Sequence, residues 1–108
     1  MDANRIVTAL LVDDDPQSQQ ANQERLEADG YSVVLVRDPN EGLARARERA
    51  PDVIFVHLVG KATGNLPFIQ ALRSDDSCRH IRVVLLRGEA RSEQRPLQRL
   101  RAVPRDGG

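Results

Sequence analysis

The side chains best suited to chemistry are one imidazole, His57, and a run of three carboxylates, Asp13-Asp14-Asp15, each at the end of an apolar stretch. His57 lies late in P-D-V-I-F-V-H-L-V-G, residues 51–60. There β-branched Val53, Ile54 and Val56 read as a strand buried on both faces within a parallel sheet. Open α/β sheets gather ligands at the carboxyl ends of their strands, which is where this imidazole would stand. An imidazole near carboxylates can also respond to pH around neutrality. A catalytic histidine would need a nucleophile or a metal partner, and no Ser, Cys or second His falls in a recognisable arrangement with it. His80 precedes the fourth strand, at the opposite edge of the sheet. The chain is therefore not expected to be an enzyme.

The elements that must position these residues are legible in order. Residues 6–12, I-V-T-A-L-L-V, form a first continuous apolar run and a buried strand. Asp15 and Pro16 then give an N-cap and a first helical residue, predicting a helix over 16–29 with thin apolar content in Ala21, Leu26 and Ala28. Gly30 ends it in the left-handed region. Residues 31–36 are the second strand in order. Asp38-Pro39-Asn40-Glu41 starts a second helix, which ends near Ala50 and turns Leu43, Ala46 and Ala50 inward. Gly42 within it costs roughly 1 kcal/mol relative to alanine unless something packs closely there. After the central strand comes a loop over 60–65, then a short helix over 66–73 burying Phe68, Ile69 and Leu72. Residues 74–80 connect to a strand over 81–86, and a last helix is predicted over 91–102. Strands alternating with helices imply right-handed crossovers and an open parallel α/β sheet.

At 108 residues the chain reads as a single domain, 1–108, with a core over about 5–102 and a flexible tail at 103–108. Roughly 65% of the unfolded chain's surface can be buried at this size, so a core needs neither metal nor disulfide. The lone cysteine, Cys78, excludes an internal disulfide and, lying in a polar stretch, is expected to be inert. No signal peptide or long apolar run is recognisable, so the expectation is a soluble cytoplasmic chain without membrane contact. Net charge is zero, but residues 1–54 carry −5 and residues 55–108 carry +5. That asymmetry can steer an acidic partner to the C-terminal half, although charge runs are more often solvated faces.

V-D-D-D-P after the first strand, G-Y-x-V at the second, P-D-V-I-F-V-x-L at the third and a short third helix closed by Leu72-Arg73 together resemble a bacterial response-regulator receiver domain. The resemblance covers about residues 5–102. It implies a CheY-like, flavodoxin-like fold with strand order 2-1-3-4, from which the fifth strand and fifth helix are missing here. It implies a place in two-component or phosphorelay signalling, with a histidine kinase or a downstream regulator as partner. In the family an aspartate ending the third strand takes a phosphoryl group from phosphohistidine, assisted by Mg²⁺ on the acidic pair after the first strand. Asp13 and Asp14 match that pair, and the acceptor position holds His57. With an imidazole there the acyl phosphate cannot form, and Mg²⁺ prefers oxygen ligands to nitrogen. The expectation is a pseudo-receiver that is not phosphorylated, with no functional cofactor.

Other departures point the same way. Arg87 occupies the family's switch Thr/Ser position, Gly60-Lys61 replaces the methionine-proline turn, and the lysine-proline pair of the fifth strand is not found. Two adjacent carboxylates facing each other would raise one another's pKa, and a nearby cation removes that penalty. One expectation is a lock in which Arg87 or protonated His57 pairs with Asp13 and Asp14. The alternative is that Asp13 and Asp15 merely start a helix while Arg87 faces solvent. A missing fifth strand would leave the fourth as an open edge and part of one sheet face uncovered, inviting self-association. Arg91, Arg95 and Arg99 share one face of the last helix and form the expected interaction surface. The aromatic residues all fit the core, so a protein partner is expected over nucleic acid. A rival reading is a flavodoxin-like ligand-binding or cofactor-binding domain using His57. H-x-x-G at 57–60 is similar to the cobalamin motif D-x-H-x-x-G, but Phe55 stands where that motif has its aspartate.

Overall fold

The computed structural model describes residues 6–60, 64–86 and 101–103. Four parallel strands form the body of the sheet: β1 (Thr8–Asp13), β2 (Ser32–Val36), β3 (Val53–His57) and β4 (Arg82–Leu85). They stand in the order β2-β1-β3-β4, with a short fifth strand, β5 (Arg101–Val103), added beside β4. Three helices connect them: α1 (Gln19–Ala28), α2 (Pro39–Glu48) and α3 (Asn65–Arg73). The crossover order is that of the doubly wound parallel sheet the four apolar runs imply.

The pleat sorts the strands cleanly onto two faces. Leu10, Val12, Ile54, Val56 and Val83 join Ala46 of α2 and Phe68, Ile69 and Leu72 of α3 in one core cluster. Ala9, Leu11, Val53, Phe55 and Val84 face the other way and pack with Leu26 of α1. Every second residue of β1 and β3 therefore belongs to the α1 face, and the same parity carries on to Asp13 and His57. Register sets those two residues directly beside each other, at the last paired position of the two strands.

The helices follow their start signals with one exception. Asp38 caps α2 by accepting from the Glu41 N–H at 3.1 Å, and Pro39 is its first residue. The Asp15-Pro16 signal misleads by one turn. Asp15 accepts from the Gln17 N–H at 3.0 Å, and its carbonyl receives Ser18 and Gln19, so residues 15–18 form a turn that precedes α1. Ser18 becomes the N-cap residue, but its hydroxyl makes no cap bond and is directed elsewhere. Gly42 shows why α2 tolerates a glycine: a Cβ there would come within 2.9 Å of Val12 Cγ2. Val12 is fully buried and β-branched, so it cannot yield. Gly30 ends α1 with φ at 103°, a conformation that glycine adopts without cost.

Three expectations need correction. The fourth strand is not an open edge: Val83, Val84 and Leu85 pair antiparallel with Val103, Ala102 and Arg101. The predicted helix accordingly does not extend through Ala102. An unpaired strand edge offers a row of free N–H and C=O groups, and the residue before Pro104 is biased to the extended conformation, so a strand wins at 101–103. The α1 face is not left bare either, since Leu11, Phe55, Val84 and Leu86 are all buried. Cys78, expected to be inert, is fully buried in the α2/α3 cluster, where burial pushes its thiol pKa up. Residues 91–100, including the proposed Arg91, Arg95 and Arg99 surface, lie outside the described residues, as does the tail at 104–108.

Leu26 is the one buried residue of α1, whose polar residues otherwise face outward or toward the strand ends. Leu26→Ala should therefore destabilise the domain by about 3 kcal/mol, within the range for buried leucine truncation. Urea denaturation followed by circular dichroism checks this, and a loss below about 1 kcal/mol would mean that α1 is anchored by other contacts.

Candidate functional site

Asp13 is fully shielded from solvent and His57 is 5% exposed. A buried carboxylate is costly unless donors surround it. Asp13 has four. Its Oδ1 accepts from the Asp15 N–H at 2.9 Å, and His57 Nδ1 lies 3.2 Å away. Its Oδ2 accepts from Ser18 Oγ at 2.8 Å and from Asn22 Nδ2 at 2.9 Å. Burial works against the charge, yet the bonds from His57, the Asp15 N–H, Asn22 and Ser18 outweigh it, so the carboxyl titrates below its usual value.

Ser18 Oγ is also 3.0 Å from His57 Nδ1, which gathers a serine, a histidine and an aspartate. The arrangement is not a hydrolytic triad. In a triad the serine meets one ring nitrogen and the aspartate the other, whereas here both approach Nδ1. Two acceptors cannot face each other at 3.2 Å without a proton between them, so Nδ1 carries its hydrogen toward Asp13. The Ser18 proton then goes to Asp13, and His57 Nδ1 is not available as a base for Ser18. Gln19 completes this wall, donating from Nε2 to the Asp13 carbonyl at 3.0 Å while its Oε1 accepts from Arg37 Nε.

Asp14 turns the other way. Its backbone N–H continues the sheet ladder to the His57 carbonyl at 3.3 Å. Its carboxylate leaves the pocket and accepts from the Val59 N–H at 2.8 Å and the Gly60 N–H at 3.1 Å. The preceding loop amide, Leu58 N–H, donates to Asn65 Oδ1 at 2.9 Å. The expected repulsion between facing carboxylates therefore does not arise, because the pleat sends the two side chains to different donors.

The acidic pair can be tested for the divalent cation that the sequence resemblance implies. Both Asp13 oxygens are taken by protein donors, both Asp14 oxygens serve the loop, and a ring nitrogen stands where a third oxygen would be needed. Mg²⁺ demands near-octahedral oxygen coordination. No group of three or more His, Cys, Asp or Glu residues suited to a metal occurs among the described residues. As arranged, these side chains do not fit the ion.

The structure thus brings together Asp13 and His57, and places Asp14 beside them with its carboxylate on the loop. Arg87 lies outside the described residues. Three residues of the site were not singled out from sequence: Ser18, Asn22 and Asn65. Ser18 and Asn22 are one helical turn apart, the spacing that puts two side chains on one face. That was the available signal.

Comparison with known proteins bears on the fold. The chain is 30% identical over 77 residues to the polar-differentiation response regulator DivK of Brucella anthropi, covering 71% of this chain and 63% of that protein. The DivK protein of Brucella ovis is 29% identical over the same length. The chain thus spans 63% of the length of these curated relatives. Among solved structures, the chemotaxis response regulator CheY4 of Vibrio cholerae superposes with a TM-score of 0.69 at 25% identity, covering 84% of this chain and 76% of that one. The fold is that of CheY-like receiver domains. A receiver domain of a sensor histidine kinase from Pseudomonas aeruginosa, solved with a magnesium ion coordinated in its active-site cleft, also superposes with a TM-score of 0.69, at 23% identity over 84% of this chain and 73% of that one. No protein-family profile matches the chain. None of its described helices is long and apolar enough to cross a membrane.

Removing the Asp13 charge should expose the cost of the site. Asp13→Asn leaves buried donors without acceptors and should destabilise the domain by about 2–3 kcal/mol at neutral pH, read by urea denaturation. The sign with pH follows from the depressed pKa. The stability due to ionised Asp13 is complete above the usual carboxylate value of 3.8 and is lost as pH falls below it. The variant's stability should fall less steeply than that of the wild type between about pH 5 and pH 2, where Asp13 would otherwise take up its proton.

Proposed function

We propose that this domain is a pseudo-receiver of two-component or phosphorelay signalling, one that is not phosphorylated and acts by protein contact. One observation carries the reading: the side chain at the end of β3, beside the acidic pair, is the His57 imidazole, with Nδ1 held 3.2 Å from Asp13 Oδ1. A nucleophilic carboxylate is absent from that position, and the nearest hydroxyl, Ser18, donates its proton to Asp13. The kinship with DivK and the receiver fold support a signalling role. Without group transfer, what a receiver scaffold offers a partner is surface. The partner is a signalling protein, a histidine kinase or a downstream regulator, and the arginines at 91, 95 and 99 in the sequence offer it positive charge.

The rival cofactor reading gains nothing from the geometry. Phe55, at the position where a cobalamin motif carries its aspartate, packs its ring edge-on against Tyr31 at 5.2 Å within the core. It cannot orient an imidazole by hydrogen bonding.

Incubation of the full chain with acetyl phosphate and Mg²⁺, followed by intact-mass measurement, tests the proposal. The expected spectrum contains the unmodified mass alone. A species heavier by one phosphoryl group would overturn it, and peptide mapping would then tell His57 from Ser18 as the acceptor.

A further inference from the structure

The loop after β3 presents three consecutive backbone donors, at Leu58, Val59 and Gly60, and every one of them is accepted by a side chain. Asn65 Oδ1 takes the first at 2.9 Å, and the two oxygens of Asp14 take the second and third at 2.8 and 3.1 Å. Loop amides ordinarily find water or a neighbouring strand. Here a carboxylate has been brought to them, and bonds from N–H groups to an ionised acceptor are stronger than neutral ones. Asp14 can reach this far because its own backbone N–H is fixed on the His57 carbonyl, one step beyond the last paired residues of β1 and β3.

We infer that Asp14 is a positioning residue whose carboxylate fixes the chain just after β3, at Val59 and Gly60, in one conformation, and that this anchoring stands in place of a divalent cation in the pocket. The two uses of the carboxylate compete. To bind an ion, Asp14 would have to release Val59 and Gly60, leaving two backbone donors unmatched. It would gain as co-ligands only an Asp13 already saturated by four donors and an imidazole nitrogen. The loop conformation is thereby set by the chain itself. Val59, 57% exposed, is held outward with its amide tied from behind. The inference deepens the pseudo-receiver reading and rests on it in taking the pocket to work without metal, but it concerns the loop and not the phosphoryl acceptor.

Residue-resolved amide hydrogen exchange on the full chain tests it, with and without millimolar Mg²⁺, for the wild type, Asp14→Ala and Asp14→Asn. In the wild type the Val59 and Gly60 amides should be protected, and Mg²⁺ should leave their exchange and chemical shifts unchanged. In Asp14→Ala both should exchange faster by about tenfold or more, while amides of the sheet interior such as Leu11 and Val56 keep their rates. Asp14→Asn keeps one acceptor oxygen and should free one of the two amides more than the other. Unchanged exchange at Val59 and Gly60 in Asp14→Ala would overturn the inference. So would an equal acceleration throughout the sheet, which would mark a general loss of stability in place of a local anchor. A Mg²⁺-dependent shift at either amide in the wild type would overturn it too. These outcomes are independent of the mass measurement above. A phosphorylated chain whose loop amides ignore Mg²⁺ would refute the function and leave the anchor standing, and the reverse result would do the opposite.

Discussion

A single buried charge organises the functional end of this domain. Asp13 ends a strand in which the four residues before it are core, and its carboxylate, fully shielded from water, must be matched by protein donors. The four donors come from three places: the Asp15 N–H just beyond the strand, Ser18 and Asn22 at the start of α1, and His57 on the neighbouring strand. Satisfying that charge therefore fixes the turn after β1, the position of α1 and the orientation of the imidazole together. α1 gains little from amphipathic packing, with Leu26 its only buried side chain. Polar contact with Asp13 is a second attachment for a helix that hydrophobic burial alone holds weakly. The diversion of the Ser18 hydroxyl from capping shows which demand wins. An uncapped helix start costs about 0.5–2 kcal/mol, less than an unsatisfied buried carboxylate.

The same matching of donors explains how adjacent acidic residues coexist. On a strand, neighbours point to opposite sides, and Asp14 continues that alternation just past the end of β1. Asp13 turns inward to α1 and His57, while Asp14 turns to the loop amides of Val59 and Gly60. Two negative charges that share a pocket in a metal-binding arrangement become two separate hydrogen-bond acceptors. An imidazole suits this division better than a third carboxylate would, because its Nδ1–H donates to Asp13 where another acid would repel it.

Much of this was legible in the sequence. Continuous runs such as 6–12 and 53–57 mark buried parallel strands because both faces are covered, and Asp38-Pro39 marks the start of α2 because the cap and the fixed proline φ act locally. Asp15-Pro16 looked like the same signal and misled, since an aspartate can close a tight turn as readily as cap a helix and only tertiary contacts decide. β5 was hidden for a different reason. Three residues at 101–103 carry no apolar run, and their strand character comes from the edge of β4 rather than from themselves. Within the site, His57, Asp13 and Asp14 announced themselves by residue type, whereas Ser18 and Asn22 looked like ordinary solvent-facing residues of a helix with little amphipathic pattern. Their role depends on which face of the sheet the end of β1 presents, and parity along β1 supplies that only once α1 is known to cover that side.

The two ends of the sheet divide stability from display. At the amino ends of β1 and β3, Asp52 and Thr8 clasp each other through paired backbone and side-chain bonds, joining the two central strands. At the start of β4, Arg73 Nη1 holds the carbonyls of Arg79 and Ile81 at 2.9 and 3.0 Å, and Arg47 of α2 reaches Asp75 in the same turn. Asp75, bonded first by Ser77 and then by Arg47, has its carboxyl lowered to about 2, so that clasp stays ionised well below neutral pH. None of these groups lies near the carboxyl ends of the strands, where the donors that match the buried Asp13 carboxylate do the holding instead. The opposite ends of one sheet are thus held by different means, exposed clasps at the amino ends and a buried, fully matched carboxylate at the carboxyl ends.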